Sequence, residues 1–308
     1  MSTNLVYYYF DPFRKQYYFP KDFESYPLFK TFFQPYTLKG RLLWFMWYNF
    51  KVLRRLSSTS SLEEILPLEN IQKQFKEKVI LAFNQGTKGA EQKITVLGVK
   101  KGSNDTFFIK YAESEIARRN VNNEGKILQQ LRYLPFVPQL QAHINTPDYT
   151  LIQTSVFLGQ RLRKISVNSI LMTILFELVD QVVETEYCYE YGLKKNFAHG
   201  DFCPWNILTD LGELKVFDWE LAGYYPAGYD LLTFIFQTSF LLSPKKTIKE
   251  IHNENQDSIN NYFTTIGITD YVPYLIAFAT IKLELESKKE NKKLTRYYKK
   301  LVTYAKNL

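Results

Sequence analysis

The chain has 308 residues, of which 45% are hydrophobic, and its formal net charge is +8. This composition excludes a disordered protein, and the length allows one two-lobed domain or two small domains. Two cysteines and three scattered histidines exclude a disulfide framework and a zinc site with ligand spacing, so we expect reduced thiols in a cytoplasmic protein.

The N-terminal residues lack the basic region and apolar core of a signal peptide. The longest apolar run there, residues 42–48, is far shorter than the roughly 20 residues that span a bilayer. Positive charge is concentrated in residues 39–55 and 281–308, with net charges of +5 and +6. Such clusters can contact nucleic acid, anionic lipid or a phosphorylated substrate, but for residues 281–308 we favour a solvated helix face.

Residues 1–60 form an aromatic-rich N-terminal extension, because 19 of the 51 aromatic residues lie within residues 1–50. YYYF and YYFP flank a turn with an Asp-Pro pair and predict a hairpin. Residues 40–56 predict an amphipathic helix with basic ends. We expect the rings to pack on the protein itself; the alternative is a patch for a partner or for a membrane surface, with peripheral contact through residues 39–56.

Residues 61–155 follow the polar break SSTSS and predict a strand-rich lobe. Three apolar or alternating runs separated by glycine-containing turns predict an antiparallel meander. A helix and one more buried strand complete the lobe. The runs lie at residues 78–83, 93–100 and 106–112, the helix at about 114–134, and the last strand at 150–155.

Residues 156–308 predict a larger helical lobe. Residues 168–192 are apolar almost all round and predict one buried helix that ends at Gly192. Residues 214–219 predict a strand, and a helix is expected from Asp230 to about Leu242, followed by another with Ser243 as its N-cap. A small antiparallel sheet lobe followed by a helical lobe is an α+β, bilobal fold.

One stretch, HGDFCPWNILTDLGELKVFDWE at residues 199–220, spaces an acid, an amide and a second acid in a loop and a following strand. Asp201 can accept a proton from an attacking hydroxyl group. Asn206 and Asp218 can hold Mg²⁺ on the phosphates of a nucleotide, because magnesium prefers oxygen ligands. Phosphoryl transfer needs this positioning and charge neutralisation more than covalent help.

The stretch resembles the aminoglycoside phosphotransferase and choline kinase family, which has the protein-kinase-like fold. The family's HGDxxxxN loop is matched by residues 199–206, and its metal motif by Asp218-Trp219-Glu220. The resemblance covers residues 78–290. It implies Asp201 as the catalytic base, Asn206 and Asp218 as metal ligands, and ATP or GTP with Mg²⁺ as cofactors.

The resemblance also assigns residues in the strand-rich lobe. Lys110 would pair with nucleotide phosphates and Glu124 would orient it. A loop would cover the phosphates with its backbone N–H groups, and two residues of the linking segment would bond the base. Without the resemblance, Lys110 and Glu124 would be interpreted as surface residues. The loop lacks the G-x-G-x-x-G pattern and would be interpreted as a plain turn. The loop residues are Gly86, Thr87 and Gly89, and the linking residues are Ser155 and Phe157.

Several residues of the motif have other expected roles. His199 would orient the loop, Asp230 would support it, and Cys203 would pack rather than act as a nucleophile. Protein kinases have an arginine where this chain has Gly200, and no Ala-Pro-Glu segment follows the second acid. These departures favour a small-molecule kinase.

The leading interpretation is therefore a magnesium-dependent phosphotransferase from a nucleoside triphosphate to the hydroxyl of a small molecule. Residues 221–243 hold one acid and many aromatic residues, which favours a sugar or a cell-surface polysaccharide over a polycationic aminoglycoside. The alternative is a catalytically silent nucleotide-binding scaffold of the same fold. A nucleic-acid partner for the basic tail is not expected. We expect a cytoplasmic enzyme, peripheral at the inner membrane face if residues 39–56 contact lipid.

Overall fold

The computed structural model describes residues 7–10, 17–35, 37–55, 58–59, 70–71, 73–163 and 166–308. The chain divides into two compact units, Met1–Gln160 and Arg161–Leu308. The boundaries expected at residues 60 and 155 stay predictions. None of the helices in the described ranges combines the length and the apolar character that crossing a bilayer requires.

The first unit is built on an eight-stranded antiparallel sheet of order β3-β1-β2-β4-β5-β6-β8-β7. The predicted hairpin (β1–β2) and meander (β4–β6) are both present, whereas β7 was not predicted. The strands are β1 Tyr7–Phe10, β2 Tyr17–Pro20, β3 Ser58–Thr59, β4 Val79–Asn84, β5 Ile94–Lys100, β6 Thr106–Ala112, β7 Leu140–Asn145 and β8 Thr150–Thr154.

Both faces of this sheet are buried. Successive side chains of a strand point to opposite faces, and in β4 Leu81 and Phe83 belong to one hydrophobic cluster while Ile80 and Ala82 belong to another. Antiparallel sheets often leave one face to solvent. Here the second cluster is completed by aromatic residues of the N-terminal extension.

The extension forms a layer of short helices, α1 Leu38–Asn49 and α2 Lys51–Arg55. Its tryptophans, Trp44 and Trp47, pack against Phe10 and Phe19 with ring centroids 5.1–5.4 Å apart. The expectation that the rings pack on the protein itself is confirmed for these residues. The expectation of one amphipathic helix is wrong, since the helix breaks at Phe50 and its outer face also carries exposed apolar side chains.

Helix α3, Glu115–Gln130, follows β6 and packs on strands of the same sheet. The hydroxyl of Ser114 accepts a hydrogen bond from the backbone N–H of Ala117 at 3.4 Å and caps the helix. The helix ends at Gln130, four residues before the predicted end at about residue 134.

The second unit contains two small antiparallel pairs and most of the helices. Strand β10 pairs with β13, and β11 forms a hairpin with β12. The strands are β10 Lys195–Ala198, β11 Ile207–Asp210, β12 Glu213–Val216 and β13 Gly223–Pro226, with the two-residue β9, Gln160–Arg161, at the unit boundary. The helices are α4 Ser169–Val179, α5 Tyr229–Leu232, α6 Thr238–Leu242, α7 Ile248–Thr265, α8 Val272–Lys288 and α9 Lys292–Ala305, and a π-helical turn, Thr233–Gln237, joins α5 to α6.

Two predicted helix boundaries in this unit are wrong. The helix expected over residues 168–192 ends at Val179, because the residues after it bond to β13 instead: the Tyr189 N–H donates to Tyr224 O at 2.9 Å. The helix expected from Ser243 begins at Ile248. Its N-cap is Thr247, which forms a reciprocal capping box with Glu250.

Candidate active site

The loop that carries Asp201 follows β10 directly. Gly200 has a φ of +85°, and a Cβ atom there would lie 2.3 Å from the backbone oxygen of Leu221. Only glycine fits both conditions. Packing within the second unit therefore explains why this position cannot hold the arginine found in protein kinases.

Side chains on both sides hold the carboxylate of Asp201. Asn206 Nδ2 donates to Asp201 Oδ2 at 3.0 Å and to the Asp201 backbone oxygen at 2.9 Å. Gln237 Nε2 donates to Asp201 Oδ1 at 2.9 Å. These hydrogen bonds fix the orientation of the carboxylate. Since Asp201 is only half-buried, part of it stays accessible to solvent. The geometry suits a group that must meet an incoming hydroxyl in one orientation.

Sequence reasoning missed Gln237 and its partner Tyr298. The hydroxyl of Tyr298 donates to Gln237 Oε1 at 3.0 Å, which leaves the amide nitrogen to face Asp201. Burial raises the pKa of Tyr298 well above its ordinary value, so the phenol stays a donor at neutral pH. Gln237 ends the π-helical turn, a feature often found at functional sites. No sequence signal marked it, because a π turn has no clear residue pattern.

Asp230 and His199 support the loop, as expected from the sequence. The backbone N–H groups of His199 and Gly200 donate to the Asp230 carboxylate at 2.6 and 3.0 Å. Burial raises the pKa of Asp230, while the two N–H groups oppose that shift. Nε2 of His199 lies 3.0 Å from the backbone oxygen of Phe217. Nδ1 of His199 accepts a hydrogen bond from the Asp201 N–H at 3.3 Å.

The predicted metal ligands are Asn206 and Asp218, and Glu220 lies close to Asp218. The side-chain nitrogen of Asn206 donates hydrogen bonds to Asp201, so the side-chain oxygen is the atom suited to bind a metal. The backbone N–H of Phe217 donates to the backbone oxygen of Asn206 at 3.0 Å, which ties the backbone of the loop to the segment that precedes Asp218. Carboxylate oxygens of Asp218 and Glu220 lie within 4.8 Å of one another. Oxygen-only donors of this kind fit Mg²⁺.

Asp218 has a left-handed backbone, with a φ of +72° and a ψ of +54°. This conformation is uncommon for residues other than glycine, although aspartate tolerates it better than most. Strained residues of this kind gather at functional sites, where the surrounding structure holds them in place. The left-handed backbone of Asp218 was not predicted from the sequence.

Two further buried residues, Cys203 and Lys282, lie in or against the loop that carries Asp201. Cys203 is buried, and burial raises the pKa of its thiol well above the ordinary value, which supports the prediction that it is not a nucleophile. Lys282 was not singled out by the sequence. Its Nζ lies 3.4 Å from Gly200 O and 5.0 Å from the centroid of the Tyr229 ring, so a buried lysine contacts the loop that carries Asp201.

In the first unit, Lys110 on β6 and Glu124 on α3 form a buried ion pair. Lys110 Nζ lies 2.7 and 2.5 Å from the two carboxylate oxygens of Glu124. The reading of these two as surface residues is therefore wrong. The two close contacts hold the lysine side chain in place. The role of Lys110 in binding nucleotide phosphates stays a prediction.

The predicted nucleotide-covering loop follows β4. Gly86 has a φ of +71°, and a Cβ atom would lie 2.4 Å from Lys93 O, so the turn requires glycine. Its N–H donates to Asn84 Oδ1 at 2.7 Å and is already used. Thr87 and Gly89 are exposed. Phosphate contact by this loop stays a prediction.

The linking segment after β8 holds the residues expected to bond the base. The Ser155 N–H donates to Gln139 O at 2.8 Å, and the Ser155 hydroxyl accepts from the Gln139 N–H at 3.0 Å. The backbone donor of Ser155 is therefore engaged within the unit. Base contacts by Ser155 and Phe157 stay predictions.

Comparisons with known proteins bear on the family and the fold. Residues 171–243 match the model of the phosphotransferase enzyme family. A search of curated protein sequences found no significant match. Among solved structures, an amicoumacin kinase in complex with AMP-PNP, Ca²⁺ and Ami is 13% identical, with a TM-score of 0.53, covering 79% of this chain and 95% of its own.

Two further solved structures are similar in part. An aminoglycoside-3'-phosphotransferase of type VIII is 13% identical, with a TM-score of 0.49 and coverage of 66% of this chain and 92% of its own. An ethanolamine kinase of Plasmodium vivax is 12% identical, with a TM-score of 0.45 and coverage of 77% and 85%. The fold assignment rests on the amicoumacin kinase. The chain thus has the predicted protein-kinase-like fold and matches the phosphotransferase enzyme family over residues 171–243, which together support its assignment as a kinase.

Proposed function

We propose that this protein transfers the terminal phosphoryl group of ATP or GTP to a hydroxyl group of a small molecule. Asp201 is the base, Asn206 and Asp218 hold Mg²⁺, and Lys110 binds nucleotide phosphates. The observation that carries the proposal is the fixed carboxylate of Asp201, with Asn206 on one oxygen and Gln237 on the other. A silent scaffold would have no need of a positioned, half-exposed base.

The proposed reaction is a direct displacement. Asp201 accepts the proton of the acceptor hydroxyl as its oxygen bonds to the terminal phosphorus. The bond between that phosphorus and the bridging oxygen breaks, and the nucleoside diphosphate leaves. Bound Mg²⁺ would neutralise the phosphate charge. Asn206 would serve both parts of the site, because its nitrogen orients the base and its oxygen stays available to a metal.

A sugar is the proposed acceptor, but the support comes from charge and not from the aromatic residues. Most rings of residues 221–243 are buried in the protein core and do not line a surface: these are Tyr225, Tyr229, Phe234 and Phe236. The one acid of this segment, Asp230, is buried and accepts two backbone hydrogen bonds. The segment therefore offers no acidic surface for a polycation and favours an uncharged polyhydroxyl acceptor.

We place the enzyme in the cytoplasm, where thiols stay reduced. Cys188 and Cys203 are both free, and Cys188 is exposed. Exposed free cysteines are typical of reducing compartments. The predicted peripheral membrane contact through residues 39–56 would leave the proposed chemistry unchanged.

The proposal is tested by nucleoside diphosphate release with ATP or GTP, Mg²⁺ and a panel of sugars and aminoglycosides. Asp201→Asn keeps the size of the side chain and removes the base, so we expect kcat to fall roughly 10²–10⁴-fold. Nucleotide binding should be kept. The matched control is Asp210→Asn on the β11–β12 hairpin, which should turn over like the wild type.

Two results would contradict the proposal. If Asp201→Asn retained wild-type turnover, the base would be another residue. If the wild type bound nucleotide with Mg²⁺ but released no diphosphate with any acceptor, the scaffold interpretation would replace the kinase.

A further inference from the structure

Helices α1 and α2 have apolar side chains on two opposite faces. The inner face carries Trp44 and Trp47, which are buried in the aromatic layer on the sheet. The outer face carries eight exposed large hydrophobic residues. They are Leu38, Leu42, Leu43, Phe45, Met46, Phe50, Val52 and Leu53. A helix that is hydrophobic all round is normally buried on all sides, so the outer face calls for an explanation.

The concentration of these residues sets this surface apart. Seventeen large hydrophobic residues are exposed in the described part of the chain, and eight of them fall within residues 38–53. Two are among the more open, with Leu38 76% and Phe45 60% exposed. Scattered exposed apolar residues are normal, but a contiguous patch marks an interaction surface. We call these eight residues the outer face.

The charged residues within residues 38–55 are all basic. Lys39, Arg41, Lys51 and Arg55 are exposed, and residues 38–55 contain no acid. Arg54 differs, because it is buried and bonds Glu24 Oε1 at 2.6 Å. Lysine is depleted in the cores of protein interfaces. Long basic side chains that flank an apolar helix face are instead typical of helices in the plane of a membrane surface, where they reach anionic headgroups.

We propose that the outer face binds the surface of an anionic lipid bilayer. The apolar side chains would enter the boundary between headgroups and acyl chains, and the four exposed basic residues would contact the headgroups. The helices would lie in the interface without crossing it. The inner face stays on the sheet, so binding needs no rearrangement of the aromatic layer.

Vesicle co-sedimentation of the full chain tests the proposal. We expect binding to vesicles of phosphatidylcholine and phosphatidylserine, much weaker binding to phosphatidylcholine alone, and loss of binding as salt is raised. Leu42→Asp/Phe45→Asp should bind at least tenfold more weakly. The matched control is Leu211→Asp, which adds an acid at an exposed leucine of the β11–β12 turn and should bind like the wild type.

A second pair of variants tests the charge contribution. Lys39→Gln/Arg41→Gln/Lys51→Gln should lose anionic binding and its salt dependence. Lys292→Gln/Lys293→Gln/Lys299→Gln removes the same charge from exposed lysines of α9 and should keep both. Equal loss in the two sets would mean that total charge, and not this surface, attracts the vesicles, and would overturn the proposal.

Other outcomes would also overturn it. One is wild-type protein that stays in solution with anionic vesicles. Another is a dimer in light scattering that Leu42→Asp/Phe45→Asp dissociates, which would make the outer face a contact between copies of the chain. The inference does not depend on catalysis, because Leu42→Asp/Phe45→Asp should keep the wild-type rate of nucleoside diphosphate release.

Discussion

At the scale of single residues, the proposed chemistry depends on how Asp201 is held. Asn206 and Gln237 each bond one carboxylate oxygen, and Tyr298 fixes the amide of Gln237. Hydrogen bonds to a charged group are stronger than those between neutral groups. The proposed base is therefore oriented by residues that lie in different elements of the same unit, and Gln237 is its proposed positioning residue.

Replacing Gln237 should affect turnover more than binding. Gln237→Met removes the hydrogen bond to Asp201 and keeps a side chain of similar length. A hydrogen bond to a charged group contributes about 1.5–3 kcal/mol, so kcat should fall roughly 10- to 100-fold. The KM for nucleotide should stay near the wild-type value. Steady-state kinetics measure both, and a change in KM alone would contradict the positioning role.

The sequence predicted some of these residues and could not predict others. Asp201, Asn206 and Asp218 lie within 18 residues in one loop and hairpin, so their spacing alone indicated a shared site. Gln237 lies 36 residues from Asp201 along the chain, and its position depends on a π turn. The buried state of Lys110 and Glu124 also depends on packing between a strand and a helix, which spacing does not report.

At the scale of elements, the N-terminal extension acts as a second layer on the sheet. Alternating side chains of β4 face two separate clusters; the extension supplies Tyr7 and Tyr18 to one and most of the aromatic residues of the other. Apolar or alternating runs between glycine-containing turns predicted β4, β5 and β6. The pattern failed for residues 180–192, where a helix was predicted but the Tyr189 N–H bonds to Tyr224 O of β13.

Two substitutions on α1 separate its two faces. Trp47 is 6% exposed and packs on four or more rings of the layer, so Trp47→Ala should lower the free energy of unfolding by about 3–5 kcal/mol. Phe45 lies on the outer face, and Phe45→Ala should change it by less than about 0.5 kcal/mol. Chemical denaturation measures both. Equal losses would mean that the outer face is also packed.

At the scale of the whole molecule, stability should depend on pH through buried histidine. Burial lowers the pKa of His252, whose ring lies 2.8 Å from the Tyr271 hydroxyl and 3.0 Å from that of Tyr304. As pH falls through the ordinary histidine value of about 6.5, the unfolded chain binds this proton and the folded chain resists it. Stability therefore falls as pH is lowered.

We expect the Tm to drop between about pH 7 and pH 5, where histidine titrates in the unfolded chain. The drop should be smaller in His252→Gln, which removes the titrating ring. Burial also lowers the pKa of His143, so part of the slope should remain in that variant. A thermal denaturation series over this pH range makes the measurement. An unchanged slope in His252→Gln would contradict the assignment.

The most direct test of the central claim is the thermal stability of the protein with ATP or GTP, with and without Mg²⁺. Ligand at about 100 times Kd stabilises by roughly 2.7 kcal/mol, which corresponds to about 4 °C in Tm for a chain of this length. Asp218→Asn removes one charge, and asparagine tolerates a left-handed backbone. The control is Glu213→Gln, on strand β12. We predict a shift that requires Mg²⁺, that Asp218→Asn loses and that Glu213→Gln keeps. No shift with either nucleotide, in folded wild-type protein, would contradict the account.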